Sequence, residues 1–135
     1  MSRRPLLYSV ALVWNVAIGL PVALAPVQAV TLLGLTAPAG ALAEYNGRLL
    51  GCALIIFGFL YFEIGRDLAT ARRFLRLAIV AKVVAAVVGL GMAILHSELW
   101  PLVGGAIPVD LVFAGLFLRD LRRTALPAMA APSSS

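Results

Sequence analysis

Residues 77–95 read LAIVAKVVAAVVGLGMAIL, a stretch whose one charged residue is Lys82. Three polar residues follow, and residues 99–118 then read LWPLVGGAIPVDLVFAGLFL, with Asp110 as the one charged residue. About 20 mostly apolar residues in an α-helix are enough to cross the ~30 Å hydrocarbon core of a bilayer. The two stretches therefore predict two transmembrane helices, and the short link between them requires that they run antiparallel.

The composition of the whole chain agrees with this assignment. The 135 residues are 62% hydrophobic and 13% charged, and their mean hydropathy is +1.02. Soluble domains carry about 25% charged residues, and a chain of this size with so few polar residues could not cover its own surface in water. A soluble enzyme, a disordered chain and a disulfide scaffold are excluded, and an integral membrane protein remains.

Two more apolar stretches precede this pair, so we predict an all-α integral membrane protein, a four-helix transmembrane bundle. The uncharged segment between Arg4 and Glu44 is too long for one straight span. The four predicted spans cover residues 6–25, 46–65, 77–95 and 99–118. They form a single domain at residues 1–123, and the Ala-, Pro- and Ser-rich residues 124–135 are expected to be a disordered tail.

A short helix is expected after the first span. Pro26 suits the first turn of a helix, where its missing N–H is not needed, and Gly34 suits the position after a helix end. We predict that residues 27–33 form this helix along the outer interface of the membrane. The Gly-, Pro- and Ala-rich residues 34–43 are expected to be a loop.

The arginines predict the orientation of the chain, because cytoplasmic loops of membrane proteins carry an excess of Lys and Arg. Nine fall on one side of the predicted bundle: Arg3, Arg4, Arg66, Arg72, Arg73, Arg76, Arg119, Arg122 and Arg123. Both termini should therefore be cytoplasmic. Topology also accounts for the net charge of +5, so we expect no nucleic-acid partner. Residues 65–76 are expected to extend the second span as an amphipathic helix at anionic lipid headgroups.

The start of the chain weakly resembles a cleaved signal peptide. It has basic residues, an apolar stretch and the sequence VQA at residues 27–29. The apolar stretch is too long for a typical signal, and Asn15, Pro21 and Pro26 interrupt it. A retained first span is favoured, and cleavage stays open as the alternative.

The residue inventory excludes several chemistries. The single cysteine, Cys52, rules out an internal disulfide or a cysteine pair, and we expect it to be a small buried packing residue. The single histidine, His96, rules out a histidine cluster or a haem held by two histidines. A weak metal or proton site formed by His96 with Glu98 stays open beside the favoured interpretation, a solvated loop histidine. No phosphate-binding loop or nucleophile motif is found, so we expect no catalytic residue, no metal and no cofactor.

Three polar residues lie deep in the predicted spans. A charge at the bilayer centre costs about 2.5–3.5 kcal/mol on insertion scales, so it normally faces the bundle and has a partner. At ~1.5 Å per residue, Asp110 lies roughly 13 Å, Asn15 roughly 15 Å and Lys82 roughly 9 Å from the inner boundary. We predict a buried ion pair between Lys82 and Asp110, with Asn15 adding a hydrogen bond.

Three roles for this polar set stay open. In the first, it fixes the register of the helices, and in the second, it forms a functional site such as a proton relay or a headgroup pocket. In the third, Lys82 extends alone toward the inner interface.

Small residues recur on the faces that carry these polar groups, and small faces are where membrane helices approach closely. The patterns are Ala11-Asn15-Gly19-Ala23, Ala78-Lys82-Ala85-Gly89-Ala93, Ala106-Asp110-Ala114 and, in the second span, Gly47, Gly51, Gly58 and Gly65. We expect all of these faces to point into the bundle.

Further candidate residues lie at the ends of the spans. Arg48 follows Glu44 by four residues at the outer mouth of the second span, where the two side chains could pair. Alternatively, Arg48 lines an outer cavity and binds an anionic headgroup. Tyr and Trp residues concentrate at membrane interfaces, which suits Tyr8 and Tyr61 on the inner side and Tyr45 and Trp100 on the outer side. Trp14 is the exception because it lies well inside the first span.

Several short motifs resemble small bacterial four-span membrane proteins of the DoxX-like kind. They are NGRLLG at residues 46–51, Phe57-Gly58, Arg66-Asp67, Lys82 and DLVF at residues 110–113. The resemblance implies the same four-span fold. Some members of such families are associated with quinone-linked sulfur oxidation or redox stress complexes. This sequence has no redox residues, which argues against direct electron transfer.

The expected function is that of a non-catalytic accessory or scaffold subunit, acting in a larger membrane complex or as a homo-oligomer. The alternative is a small transporter or binder of a lipid or quinone, which would use Asn15, Lys82, Asp110, Arg48 and Trp14. A membrane enzyme acting on lipid ranks third. The expected location is the bacterial inner membrane, because the Arg-, Ala- and Gly-rich composition indicates a GC-rich bacterial genome.

Overall fold

The computed structural model describes residues 4–37, 39–68 and 71–123, and within these the side chains of Arg4 and Pro5 are not described. The predicted disordered tail at residues 124–135 lies outside the described residues. The described part is all-α. Its helices are α1 (Arg4–Leu24), α2 (Pro26–Thr31), α3 (Ala41–Arg66), α4 (Arg72–Leu95) and α5 (Trp100–Arg123), with a turn of 3-10 helix at Ser97–Leu99 before α5.

Four of these helices, α1, α3, α4 and α5, are long and apolar enough to cross a membrane. The four-helix transmembrane bundle predicted from the sequence is therefore confirmed, and the chain is a multi-pass membrane protein. The short helix after the first span is also present as α2. It starts at Pro26, as the proline predicts, and Gly34 adopts a φ of +75° just after its end, a conformation that favours glycine.

Three helix boundaries differ from the sequence prediction by five residues, and the others by at most two. α3 begins at Ala41, inside the predicted loop, because Gly40 takes a φ of +103° and turns the chain directly into the helix. α4 begins at Arg72 and α5 ends at Arg123, each beyond its apolar stretch. Arginine is a good helix former, so both helices continue into the polar region. The predicted continuous helix over residues 65–76 is wrong, since α3 ends at Arg66.

α1 and α3 form one antiparallel pair with a glycine seam along its length. Four positions of α3 meet α1 or the start of α2: Gly65 lies against Tyr8, Gly58 against Leu12 and Asn15, Gly51 against Gly19 and Ala23, and Gly47 against Pro26. A Cβ on Gly58 would lie 3.2 Å from the Cβ of Asn15. The predicted close-packing seam is confirmed, and its partner is the small-residue face of α1.

α4 and α5 form the second antiparallel pair, and their contact with the first pair is much smaller. Gly89 of α4 lies against Ile107 of α5 at ordinary van der Waals distance. The small-residue pattern predicted for α4 is right except at one position. Ala85 is exposed, and its neighbour Ala86 is buried instead, because the stripe that follows Ala78 and Lys82 continues by steps of four.

We call one end of the bundle the arginine-rich end because it carries Arg66, Arg72, Arg73, Arg76, Arg119, Arg122 and Arg123. A hydrophobic core near this end joins the two helix pairs. The core residues come from all four spans and are Tyr8, Ala11, Tyr61, Ile64, Leu75, Ala78, Phe113 and Phe117. Toward the opposite end the buried residues of the spans are small ones: Gly19, Gly51, Ala86 and Ala93. The two helix pairs are therefore joined to each other mainly in the arginine-rich half of the bundle.

The outer faces of the helices are apolar and exposed, as expected for surfaces that face lipid. On α4 these faces include Val80, Val84, Val87 and Val88. Cys52 is also exposed, so the prediction that it is a buried packing residue is wrong. Gly51 occupies the face toward α1, and the next residue along a helix points about 100° away, which turns Cys52 outward.

The glycine seam leads to a testable prediction. A Cβ on Gly51 would collide with the backbone of Ala23, whereas a Cβ on Gly91 meets no atom within 4 Å. We expect Gly51→Ala to lower the free energy of unfolding by about 1–3 kcal/mol through overpacking. Gly91→Ala should raise it by up to ~1 kcal/mol, because alanine favours helix. Unfolding in mixed detergent micelles, followed by circular dichroism, measures the free energy of unfolding of both variants. If the two substitutions changed it equally, the close contact of Gly51 with α1 would be contradicted.

Candidate functional site

The predicted ion pair between Lys82 and Asp110 is present and joins α4 to α5. The ammonium Nζ lies 2.5 Å from Oδ1 of Asp110, and the two side chains are 7% and 17% exposed. The lysine side chain therefore crosses to the neighbouring helix, and the alternative in which it extends alone toward the interface is wrong. Pairing of this kind lowers the cost of a charge in an apolar environment.

Aromatic rings complete the surroundings of the Lys82 ammonium. Nζ lies 5.5 Å from the ring centroid of Tyr61 on α3 and 5.9 Å from that of Phe113 on α5. Both distances are within the range for attraction between a cation and a ring face. Lys82 therefore contacts α3 and α5 as well as its own helix, and it ties the second helix pair to the first.

The two rings belong to a larger aromatic group that consists of Tyr8, Tyr61, Phe113 and Phe117. Phe117 stacks on Tyr8 with centroids 5.2 Å apart and lies 5.3 Å from Tyr61. Tyr8 and Tyr61 were predicted to lie in the interfacial belt, but they are 1% and 2% exposed. Their rings instead fill the space between the helix pairs, where apolar area is buried. Tyr45 and Trp100, at the opposite end, are exposed as a belt would require.

Asn15 does not supplement the ion pair. Its side chain is buried, and its Nδ2 donates to the backbone oxygen of Ala11 at 2.8 Å, one turn earlier in the same helix. The side chain sits in the narrow seam opposite Gly58, where its own backbone is the nearest acceptor. The prediction that Asn15 adds a hydrogen bond to Lys82 and Asp110 is wrong. Trp14, half-buried, packs against the core near the arginine-rich end.

Arg48 fastens the end of α1 to α3. Its Nε and Nη2 donate to Oε1 of Glu44 at 3.2 and 2.7 Å, which confirms the predicted pair. Its Nη1 donates to the backbone oxygens of Ala23 and Leu24 at 3.2 and 2.9 Å. The last carbonyls of a helix lack N–H donors within the helix, and α1 ends at Leu24, just before Pro26. A positive charge there also opposes the negative end of the helix dipole.

Arg48 and the ion pair are separate features. Arg48 precedes Tyr61 by thirteen residues on α3, which corresponds to roughly 20 Å of helix. Of the five residues singled out from the sequence, the structure brings together Lys82 and Asp110. Asn15 lies in the α1–α3 seam, Trp14 packs on the core, and Arg48 caps α1.

The aromatic group and the burial of Asp120 were not predicted from the sequence. Phe113 and Phe117 follow Asp110 by three and seven residues, and this spacing places all three on one helix face. That pattern was a signal for the aromatic surroundings of the pair. Asp120, near the end of α5, is 1% exposed, with Oδ1 3.8 Å from Nε of Arg119. Asp120 follows Phe117 by three residues, so the same spacing places it on that buried face.

Two depressions in the surface lie away from the ion pair. One, of about 280 Å³, is lined by Ser9, Phe62, Gly65 and Arg66 at the arginine-rich end. The other, of about 60 Å³, lies between α2 and the start of α3 at the opposite end. Neither has Lys82 or Asp110 in its lining. Within the described part of the chain, no three His, Cys, Asp or Glu side chains come close enough to hold a metal ion.

The ion pair can be tested by a double-mutant cycle. Lys82→Met should lower the free energy of unfolding by about 3–5 kcal/mol, because it leaves the Asp110 carboxylate in an apolar environment without its partner. Lys82→Met combined with Asp110→Leu should recover most of this loss, since both charges are gone. Unfolding of the wild type, the two single variants and the double variant in mixed micelles measures the coupling free energy between the two side chains. Additive effects would contradict a stabilising contact between the two side chains.

The cap formed by Arg48 gives a second prediction. Arg48→Met should lower the free energy of unfolding by about 1–2 kcal/mol, because two hydrogen bonds to the end of α1 are lost. Glu44→Gln should cost less than about 1 kcal/mol, as is usual for an exposed ion pair. Thermal unfolding in detergent compares the two variants. If Glu44→Gln matched Arg48→Met, the ion pair and not the cap would be the stabilising contact.

Comparisons with protein-family models, with curated proteins and with solved structures find no match to this chain.

Proposed function

We propose that the protein is a non-catalytic accessory or scaffold subunit of the bacterial inner membrane, acting in a larger complex or as a homo-oligomer. One observation carries this proposal. The deepest charges of the bundle, on Lys82 and Asp110, are paired with each other at 2.5 Å, and the ammonium is covered by rings of Tyr61 and Phe113. A polar group that is satisfied within the chain stabilises the bundle and leaves little for an outside substrate.

The outward surface supports the same function. α4 and α5 contact the first helix pair sparsely, so long apolar faces stay exposed, as at Val13 of α1, Ile56 of α3 and Val87 of α4. Such faces meet lipid or the helices of a partner, and in membranes helices associate through packing rather than through exclusion of water. A small bundle with a satisfied interior therefore offers its outer faces for assembly.

The residues behind the DoxX-like resemblance have structural roles that fit this proposal. Gly47, Gly51 and Gly58 line the seam with α1, and Arg48 caps α1. Lys82 and Asp110 form the ion pair. We propose that the resemblance reflects a shared way of building a four-span bundle.

A specific observation favours the second candidate, a binder or transporter of a lipid or quinone. The Asp110 side chain keeps 17% exposure. Its Oδ2 has no hydrogen bond within the described residues, because the one contact to Lys82 involves Oδ1. A ligand hydroxyl could donate to that second oxygen.

Asp110→Asn separates the two functions. The side chain keeps its shape and still accepts a hydrogen bond from the Lys82 ammonium, although that ammonium loses its counter-charge. We therefore expect this variant to lose less stability than Lys82→Met and to keep its helices. For a scaffold subunit, particles purified in mild detergent should exceed the 14.2 kDa chain in native mass spectrometry, with the variant and the wild type alike. Val13→Trp, Ile56→Trp and Val87→Trp, each on one exposed face, then serve as matched surface variants. At least one should dissociate the assembly.

The opposite result would favour the binder. A monomeric wild-type protein that binds a short-chain quinone, with binding lost in Asp110→Asn and kept in the three surface variants, would contradict the scaffold proposal. Circular dichroism of each variant confirms that its helices are intact.

A further inference from the structure

The larger surface depression lies between α1 and α3 at the arginine-rich end. Its volume is about 280 Å³, and the described residues that line it are Ser9, Phe62, Gly65 and Arg66. Arg66 is the last residue of α3, and Ser9 lies in the second turn of α1. The depression therefore sits where the transmembrane part of the two helices ends, which is the depth of lipid headgroups.

The lining offers hydrogen-bond donors for an anion. Nη1 of Arg66 donates to both carboxylate oxygens of Glu63, at 3.2 and 3.4 Å. Within the described residues the Nε and Nη2 groups of Arg66 donate to no acceptor, and the side chain is 66% exposed. The hydroxyl of Ser9 likewise forms no hydrogen bond in the described part of the chain. Glu63 thus binds the guanidinium of Arg66 through one nitrogen, and its Nε and Nη2 groups can donate to a bound ligand.

Charge favours an anion at this place. The described side chains at this end include seven arginines (Arg66, Arg72, Arg73, Arg76, Arg119, Arg122 and Arg123) and three acids (Glu63, Asp67 and Asp120). An excess of arginine near a membrane surface attracts anionic lipids. The guanidinium is planar and binds phosphate through paired hydrogen bonds.

The remaining lining is apolar. The ring of Phe62 lines the depression one helical turn closer to the membrane centre than Arg66. Gly65 also lines it and packs against Tyr8. A ligand that fits has a phosphate beside a hydrocarbon part. A free phosphate ion would use the donors but would gain nothing from the ring.

We propose that this depression binds the headgroup of an anionic phospholipid, with Arg66 and Ser9 holding the phosphate and Phe62 contacting the upper part of an acyl chain. This site is independent of the proposed function, because it uses neither the ion pair nor the outer helix faces tested above.

The test uses the full chain in mild detergent and native mass spectrometry with added phosphatidylglycerol or phosphatidylcholine. We expect the wild type to bind one phosphatidylglycerol more tightly than phosphatidylcholine. Arg66→Gln should weaken phosphatidylglycerol binding at least tenfold, because it removes charge-assisted hydrogen bonds to the phosphate, and tenfold corresponds to about 1.4 kcal/mol. Arg73→Gln is the matched control: it removes the same charge at the same end, outside the depression, and should change binding less than about twofold in detergent.

A second variant tests the shape of the site without changing its charge. Ser9→Leu fills the depression and should reduce phosphatidylglycerol binding at least as much as Arg66→Gln, with helix content unchanged by circular dichroism. Inorganic phosphate should not displace the lipid. Equal losses for Arg66→Gln and Arg73→Gln would overturn the proposal in favour of diffuse attraction to the arginines. Displacement by inorganic phosphate, or full binding by Ser9→Leu, would overturn it as well.

Discussion

The ammonium of Lys82 lies where the two helix pairs of the bundle meet. It bonds to Asp110 on α5 and faces the rings of Tyr61 on α3 and Phe113 on α5. A charge in the apolar interior of a membrane protein needs a partner, and here the partner lies on another helix. The register of α4 against α5, and the position of that pair against α3, both follow from this requirement. The aromatic group around Phe117 packs beside the ion pair, with Tyr61 and Phe113 in contact with both.

The first helix pair is organised by a different physical effect. α1 and α3 have no deep charge between them, and their backbones come close because glycines on α3 face small residues on α1. Close approach increases dispersion contacts, which drive helix association where there is no water to exclude. Arg48 closes this pair at the far end by donating to Glu44 and to the last carbonyls of α1. The first pair therefore depends mainly on close packing, and the second pair also on an ion pair. The two pairs meet mainly in the arginine-rich half.

This division has a consequence for function. The polar groups inside the bundle are largely bonded to each other or to the backbone, as Asn15 is to Ala11. What the molecule presents outward is apolar helix surface along its sides and arginine at one end. A protein with such a distribution interacts through its surface with lipids and neighbouring helices. The scaffold function and the phospholipid site at Arg66 both arise from this outward chemistry, but they concern different parts of the surface.

The sequence alone predicted the number, class and approximate limits of the spans, because an apolar stretch of membrane length admits few structures other than a helix. It also identified the glycine face of α3 and the pairing of Lys82 with Asp110, since each follows from the residues of one or two helices. Only the folded molecule shows which helices adjoin. It placed Tyr8 and Tyr61 in the core, turned Asn15 toward its own backbone and Cys52 outward, and brought Arg48 to the end of α1. These features depend on contacts between residues far apart in the chain, and the periodicity of a single helix says which residues share a face but not what that face meets.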